Sequence, residues 1–422
     1  MTIYTKTFVI PKHRNIENFI LNVINKDDNK SYHTVLRYAI VKVNEHSVEV
    51  DASILEDSYR LEYDYKIPLT PNNKFDVVMI IPTGVRAEVG GYIADGTPVT
   101  NVLASIADKV ITHPNVLNGS FLNYGANNVL YVEGYHLDNF LQNKIGLSEI
   151  IQNKIGVVVD KGAIDSDPNS INMVINSIEA LRVIAGIDVI GYKITDEPIG
   201  GHAIKMPSGS FCGEVKNPDT LLRAAKELIK AGATAIAIST HIDIEDMEKD
   251  LDKYFKGELA NPFGGTEALL SHTISHLLKV PCAHAPILSK LEKDYYESVG
   301  IVDPRASSEV VSPGYLGCIL KGLNLSPQIS EQGYGVTLSD VKAIIIPHGC
   351  CGGIPALAAQ KFGIPLIVVK ENRTVLDVTP EKMGINAIVV DNYVEAIGVV
   401  AALKSGITVE SLRRPFKAIQ EI

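Results

Sequence analysis

These 422 residues contain no tryptophan, aromatic residues make up only 6 % of them, and the five cysteines form no Cys-x-x-Cys pair. The missing indole removes one favoured stacking side chain, although 17 tyrosines remain. An odd number of cysteines, with Cys350 and Cys351 adjacent, is not a disulfide framework, so a reducing cytoplasm is the expected compartment. Adjacent cysteines do not close a tetrahedral zinc site alone; His284 or His113 would have to complete it, and zinc is the alternative to an otherwise cofactor-free site. Positive charge is also short: 39 Lys and Arg face 49 Asp and Glu, giving a net charge of −10. Phosphate backbones and anionic lipid headgroups are not drawn to such a surface, which argues against nucleic acid or membrane as the main partner. No apolar run approaches the roughly 20 residues that span a bilayer, and Met1 to Lys6 has no signal-peptide pattern. Neither a G-x-x-x-x-G-K-[ST] loop nor a convincing G-x-G-x-x-G follows a strand, so nucleotide binding has no support.

What is present reads as a globular α/β chain. It is 46 % hydrophobic and 21 % charged, and long enough for two or three cores. Residues 1–74 read as a small α+β region, with a helix at 16–24 and strands at 48–52 and 59–65. From Phe75 the pattern changes to continuous β-rich apolar runs, the mark of strands covered on both faces, each followed by a glycine turn and a helix. The expected fold is mainly parallel sheet built from βαβ units, with α/β domains at 75–216 and 217–422 and a site at their junction. Gly90-Gly91, Gly264-Gly265 and Gly352-Gly353 each precede a helix and then a strand with a polar end, which suggests a pseudo-repeat. The acidic stretch 243–256 reads as a solvated helix, and 195–217 as a polar, glycine-rich passage.

The sharpest constellation is His348-Gly349-Cys350-Cys351-Gly352-Gly353, between an apolar strand and a helix. Free backbone N–H groups, a histidine and two thiols at a strand end suit a thiolate nucleophile or proton shuttle. His113 and His284 also stand at strand ends and suit general acid/base work, with Asn115 and Asn118 beside the first. His272 and His276 lie four apart on one helix without the glutamate of a zinc-protease motif, so packing or surface roles are favoured. Ser208, Ser210 and Cys212 sit in a small-residue loop after Lys205, where a Ser-Lys arrangement or a thiol would be supplied. Arg86, Arg305 and Arg373 are placed to clasp a carboxylate or phosphate, each with a plain ion pair as the alternative. The Gly90, Gly91, Gly264, Gly265, Thr266, Glu267, Gly352 and Gly353 turns, with Glu371 and Asn372, complete the expected binding set.

The blocks Pro82-Thr83-Gly84, 112–119, Tyr131 to Tyr135, Asn217 to Ala225, Cys282 to Pro286 and Val302 to Arg305 resemble those of a bacterial domain-of-unknown-function family frequent in cyanobacteria. That resemblance covers roughly 75–372 and implies one shared site, without a reaction. Gly232 to Thr240 is similar to the strand before the catalytic loop of aspartate/glutamate-type racemases, which implies Cys212 and Cys351 as the paired thiols. Gly264 to Glu267 is similar to a motif of the cyanuric acid hydrolase and barbiturase family, with Phe263 where that family has a serine. The expectation is an enzyme using cofactor-independent acid/base or cysteine chemistry, racemase, isomerase or lyase in type, on a small polar, carboxylate-bearing metabolite. The alternatives are a ring-amide hydrolase and a non-catalytic metabolite-binding protein; assembly as a homo-oligomer is compatible with each.

Overall fold

The computed structural model describes residues 1–12, 32–57, 67–117, 125–311, 315–416 and 418–421. The helix expected at 16–24, the strand expected at 59–65 and Asn118 lie outside them. Three long strands open the chain: β1 (Thr2–Pro11), β2 (Tyr32–Val43) and β3 (Ser47–Asp57). Val48, Val50, Ala52 and Ile54 alternate along β3 and are buried in one core, the two-residue period of a strand that covers something on one face. The 195–217 passage is a hairpin, β10 (Gly201–Lys205) and β11 (Phe211–Val215), which joins β1 and, through β10, β13 (Ile242–Asp243) in a six-stranded sheet ordered β13-β10-β11-β1-β3-β2.

A second six-stranded sheet is parallel throughout and ordered β18-β17-β16-β4-β5-β6. Its strands are β4 (Asp76–Met79), β5 (Lys109–Thr112), β6 (Val129–Tyr131), β16 (Val341–Pro347), β17 (Leu366–Val369) and β18 (Ile388–Val390). From β4 the chain steps outward to β5 and β6, and from β16 it steps outward the other way to β17 and β18. A crevice therefore opens at the carboxyl ends of β4 and β16, the position where open parallel sheets bind ligands. A four-stranded parallel sheet, β14-β12-β8-β9, is made of β8 (Ile155–Val159), β9 (Val189–Ile194), β12 (Ala235–Thr240) and β14 (Cys282–Pro286). A short pair, β7 (Gly146–Ser148) and β15 (Gln328–Ser330), completes the strands.

The α/β class is thus observed, but the sheets do not follow the blocks 1–74, 75–216 and 217–422. β1 to β3 pair into strands from both later blocks, and β4 to β6 share a sheet with β16 to β18. The hydrophobic pattern identifies each strand and carries no information on which distant strand it meets. The acidic helix Met247–Phe255 buries Leu251, Tyr254 and Phe255 beneath its charged face.

At the centre lies the helix Gly264–Leu278, which packs on β11, β14 and the helix Gly134–Leu141. It is buried on nearly all sides, as a helix without a polar face must be. Two of its hydroxyls are satisfied within the helix: Thr273 donates to the Leu269 carbonyl at 2.7 Å and Ser271 to that of Glu267 at 3.2 Å. Glycine starts this helix because other backbone occupies the space: a Cβ on Gly265 would stand 2.3 Å from the Phe211 carbonyl oxygen.

Candidate active site

Two adjoining clefts, of about 110 and 140 Å³, open at the carboxyl ends of β4 to β6 and β16. His113, His272, Thr83, Gly134 and Ala268 line both and form the wall they share.

His113 follows β5 directly. The Ile81 N–H donates to its Nε2 at 3.2 Å, so the ring carries its proton on Nδ1. Burial above all, with His272 nearby, pushes its pKa down to about 4, and the ring is neutral at physiological pH. Glu133 caps the helix Gly134–Leu141 and accepts the Tyr135 N–H at 2.9 Å and the His136 N–H at 3.4 Å. Its Oε1 lies 2.6 Å from His272 Nδ1, with the N–H poorly aligned, so the contact is electrostatic before it is a hydrogen bond. Burial raises this carboxyl, but His272 and the capping amides outweigh burial and hold it at about 2. Glycine makes room for the pair: a Cβ on Gly134 would stand 2.7 Å from His272 Cε1.

Across the first cleft, His284 in β14 shares a 2.8 Å hydrogen bond between its Nε2 and Thr240 Oγ1. Its Nδ1 is 3.4 Å from Oε1 of Glu267, on the first turn of the central helix. Glu309 accepts the Tyr254 hydroxyl and, at 3.1 Å, the Ile93 N–H; burial pushes it up to about 8, so it is a neutral acid at physiological pH. Its linkage runs against the usual carboxylate direction. The folded form keeps a proton that the unfolded chain releases from pH 4.5 upward, so its stabilisation is complete below 4.5 and is lost as pH rises to about 8. Glu309→Gln keeps the neutral form, and its stability relative to wild type is expected to climb by about 1.4 kcal/mol per pH unit across that window. Thermal melts through the window test this; a constant offset would contradict it.

The second cleft adds charge of the other sign. Arg37 lines it from β2, half-buried, and among the described residues its guanidinium has no ion pair or hydrogen bond. Asp51 and Asp138 line the same space; burial raises both, and the half-buried Asp138 reaches about 7.

The thiols are elsewhere or silenced. Cys350 lines the second cleft, but burial pushes it up to about 12 despite Thr374 Oγ1 at 3.6 Å. Cys351 is in the core, and burial, then Cys350 and Glu381, raise it to about 12. The N–H groups that would favour a thiolate are engaged: that of Cys350 by the Pro347 carbonyl at 3.0 Å and that of Cys351 by Val378 at 2.8 Å. His348 lies outside both clefts, its Nε2 3.6 Å from Glu381. Cys212 lines the second cleft with its thiol raised by burial.

Several of the expected binding residues are tied up in contacts within the fold, although Asn115 and Glu267 line the first cleft and Ser210 the second. Asn115 donates to the carbonyls of Ile81 at 3.0 Å and Gly90 at 2.6 Å, fixing the loop beside His113. Asn372 brackets Val89 with bonds of 3.1 and 3.0 Å, and Glu371 accepts the Tyr393 N–H at 2.6 Å. Thr266 Oγ1 donates to the His202 carbonyl at 3.3 Å. Arg305 is bound to Glu88 and, at 2.9 Å, to Asp303; Arg373 pairs with Glu88 at 3.2 Å; Arg86 donates to the Glu258 carbonyl at 3.4 Å. Ser208 and Ser210 bond each other at 2.8 Å in the β10–β11 turn, while Lys205 is exposed and bonds neither. Gly91 and Gly264 line the first cleft and Gly352 and Gly353 the second, whereas Gly90 and Gly265 are packed against Ile81 and Phe211. Sequence reasoning missed Glu133, Glu309 and Arg37 and set His272 aside. The one available signal was Glu133 itself, an acid at a strand-to-helix turn.

Residues 76–413 match the family described as protein of unknown function DUF3326. The chain is 36 % identical over 334 residues to an uncharacterized lipoprotein of Synechococcus sp., covering 78 % of this chain and 91 % of that protein. The β4-to-β18 body lies within the matched residues, whereas Arg37, Asp51 and the rest of the β2–β3 wall of the second cleft precede them; the chain belongs to the DUF3326 family.

Proposed function

We propose that this protein is a cofactor-independent acid/base enzyme that moves a proton at a carbon next to a carboxylate, a racemase-, isomerase- or lyase-type reaction. The observation that carries the reading is the shared wall, where a carboxylate held at about 2 sits 2.6 Å from a histidine and beside a second histidine kept neutral at about 4. Groups whose environments drive their pKa values apart are the usual source of paired acid and base roles. Glu133 faces His272 Nδ1, which leaves Nε2 to take the substrate proton. Neutral His113 offers its Nδ1–H to the developing enolate oxygen. The His284–Glu267 pair returns a proton from the other side of the first cleft through Glu267, since Thr240 holds His284 Nε2 and Glu267 faces its Nδ1. Arg37 holds the substrate carboxylate as the unpaired cation of the second cleft.

The thiol branch has less support, since thiols raised to about 12 are protonated at neutral pH. The Ser-Lys branch has none in the β10–β11 turn. Five free, buried cysteines support a reducing compartment and hence the cytoplasm, and among the described residues no helix is long and apolar enough to cross a membrane.

The test is solvent-deuterium incorporation into pooled carboxylic acids, read by mass spectrometry. Incorporation at the carbon beside the carboxylate is expected, with Arg37→Gln raising KM by at least about tenfold at little cost in kcat, the loss of a charge-assisted hydrogen bond of about 1.5–3 kcal/mol. Binding without incorporation would favour the metabolite-binding reading instead.

A further inference from the structure

A third cavity, of about 400 Å³, lies beside the first cleft, between the helices Ser170–Ala185, Lys290–Ser298 and Tyr315–Asn324 and the carboxyl ends of β12 and β14. Tyr296, Tyr315 and Pro286 line both spaces, and the side chains of Tyr296 and Tyr315 bond each other in the wall between them. Its walls are mainly apolar, with Val174, Ile287, Leu288 and Leu316 among them, and its size is that of a ligand pocket and not of a packing defect. The polar part of the lining is Ser170, Ser177, Ser239, Glu297 and Lys293, the last paired with Asp167 at 3.0 Å.

We infer that the substrate is an amphiphilic carboxylic acid whose aliphatic chain runs from the first cleft into this third cavity. The inference rests on the acid/base reading for the position of the head. The carboxylate meets Arg37, the adjacent carbon lies at the His113–His272 wall, and the chain parts the hydrogen bond between Tyr296 and Tyr315 to pass from one space to the other. An apolar cavity of roughly 150 Å³ holds a six-carbon ring, so this one takes an aliphatic group on the order of a dozen carbons.

The chain has no tryptophan, so Met173→Trp at the cavity mouth, where Met173 is 56 % exposed, gives a single indole reporter. Titration of that protein with straight-chain primary alcohols tests the cavity without a carboxylate or any turnover. Affinity is expected to rise about fourfold with each added methylene until the cavity is full. Val174→Phe in the same background is expected to weaken the longer alcohols by at least about tenfold, and a rise in the wild-type melting temperature with the same alcohols checks the result without a variant. Affinity independent of chain length, or unaffected by Val174→Phe in a folded protein, would overturn the inference. In the exchange assay, long-chain acids are expected to exceed their short-chain counterparts in kcat/KM by at least about tenfold, and equal values would overturn it as well. If no acid exchanges at all while the alcohol series behaves as expected, the acid/base reading fails and the apolar subsite stands.

Discussion

Gly352→Ala is expected to destabilise the protein by about 3 kcal/mol, whereas Gly353→Ala, one residue on, is expected to change little. A Cβ on Gly352 would stand 2.1 Å from the carbonyl oxygen of Ile40 and 2.8 Å from its Cβ, while the nearest atom to one on Gly353 is Pro355 Cδ at 3.4 Å. The Gly352 carbonyl also accepts the Ile40 N–H at 3.1 Å, so the turn after β16 is fastened to β2 by backbone alone and has no room to yield. Moving β2 moves Arg37, three residues away on the same strand, and the second cleft with it. Urea unfolding of the two variants measures the difference; equal midpoints would show that the turn accommodates a side chain and that β2 is not held there.

The second large effect is on acid stability, in two windows. His113 is lowered from 6.5 to about 4, so the unfolded chain takes up a proton first and stability is lost as pH falls through that interval. Glu133 is lowered from 4.5 to about 2; its contribution is complete above 4.5 and disappears as pH falls toward 2. Each is worth about 3 kcal/mol on the scale of 1.36 kcal/mol per pKa unit. His113→Gln is expected to flatten the upper window and leave the lower one, and Glu133→Gln to do the reverse while costing about 3 kcal/mol at neutral pH, where it leaves a buried histidine without its partner. Stability profiles from denaturant midpoints across both windows separate the two. A single loss centred near the ordinary carboxylate range in both variants would refute the assignment.

The strands of the parallel sheets were legible in the sequence and their partners were not. β5 at Lys109–Thr112, β14 at Cys282–Pro286 and the helix Ser170–Ala185 lie where apolar runs, turn residues and helix-start signals put them. The hairpin of β10 and β11 was not seen, because its glycines and serines carry no two-residue alternation; it is a hairpin because β1 and the central helix cover it. The crevice between β4 and β16 joins residues more than 260 positions apart, which only the folded sheet reveals. His113 and His284 were found because a polar residue at the end of a buried strand stands out, and they do line one cleft. The cysteine turn drew attention for the same reason, yet its glycine serves contact with β2 and burial keeps both of its thiols protonated. His272 looked like packing because its partner, Glu133, lies on another helix.

The most direct test compares solvent-deuterium exchange in three proteins: wild type, His272→Gln, and the Cys350→Ser/Cys351→Ser double variant. Proton transfer by a positioned side chain is worth about 10²–10⁴-fold, so His272→Gln should lose that much while the double serine variant keeps the wild-type rate. Loss of exchange in the serine variant with wild-type exchange in His272→Gln would contradict the account and return the chemistry to the thiols.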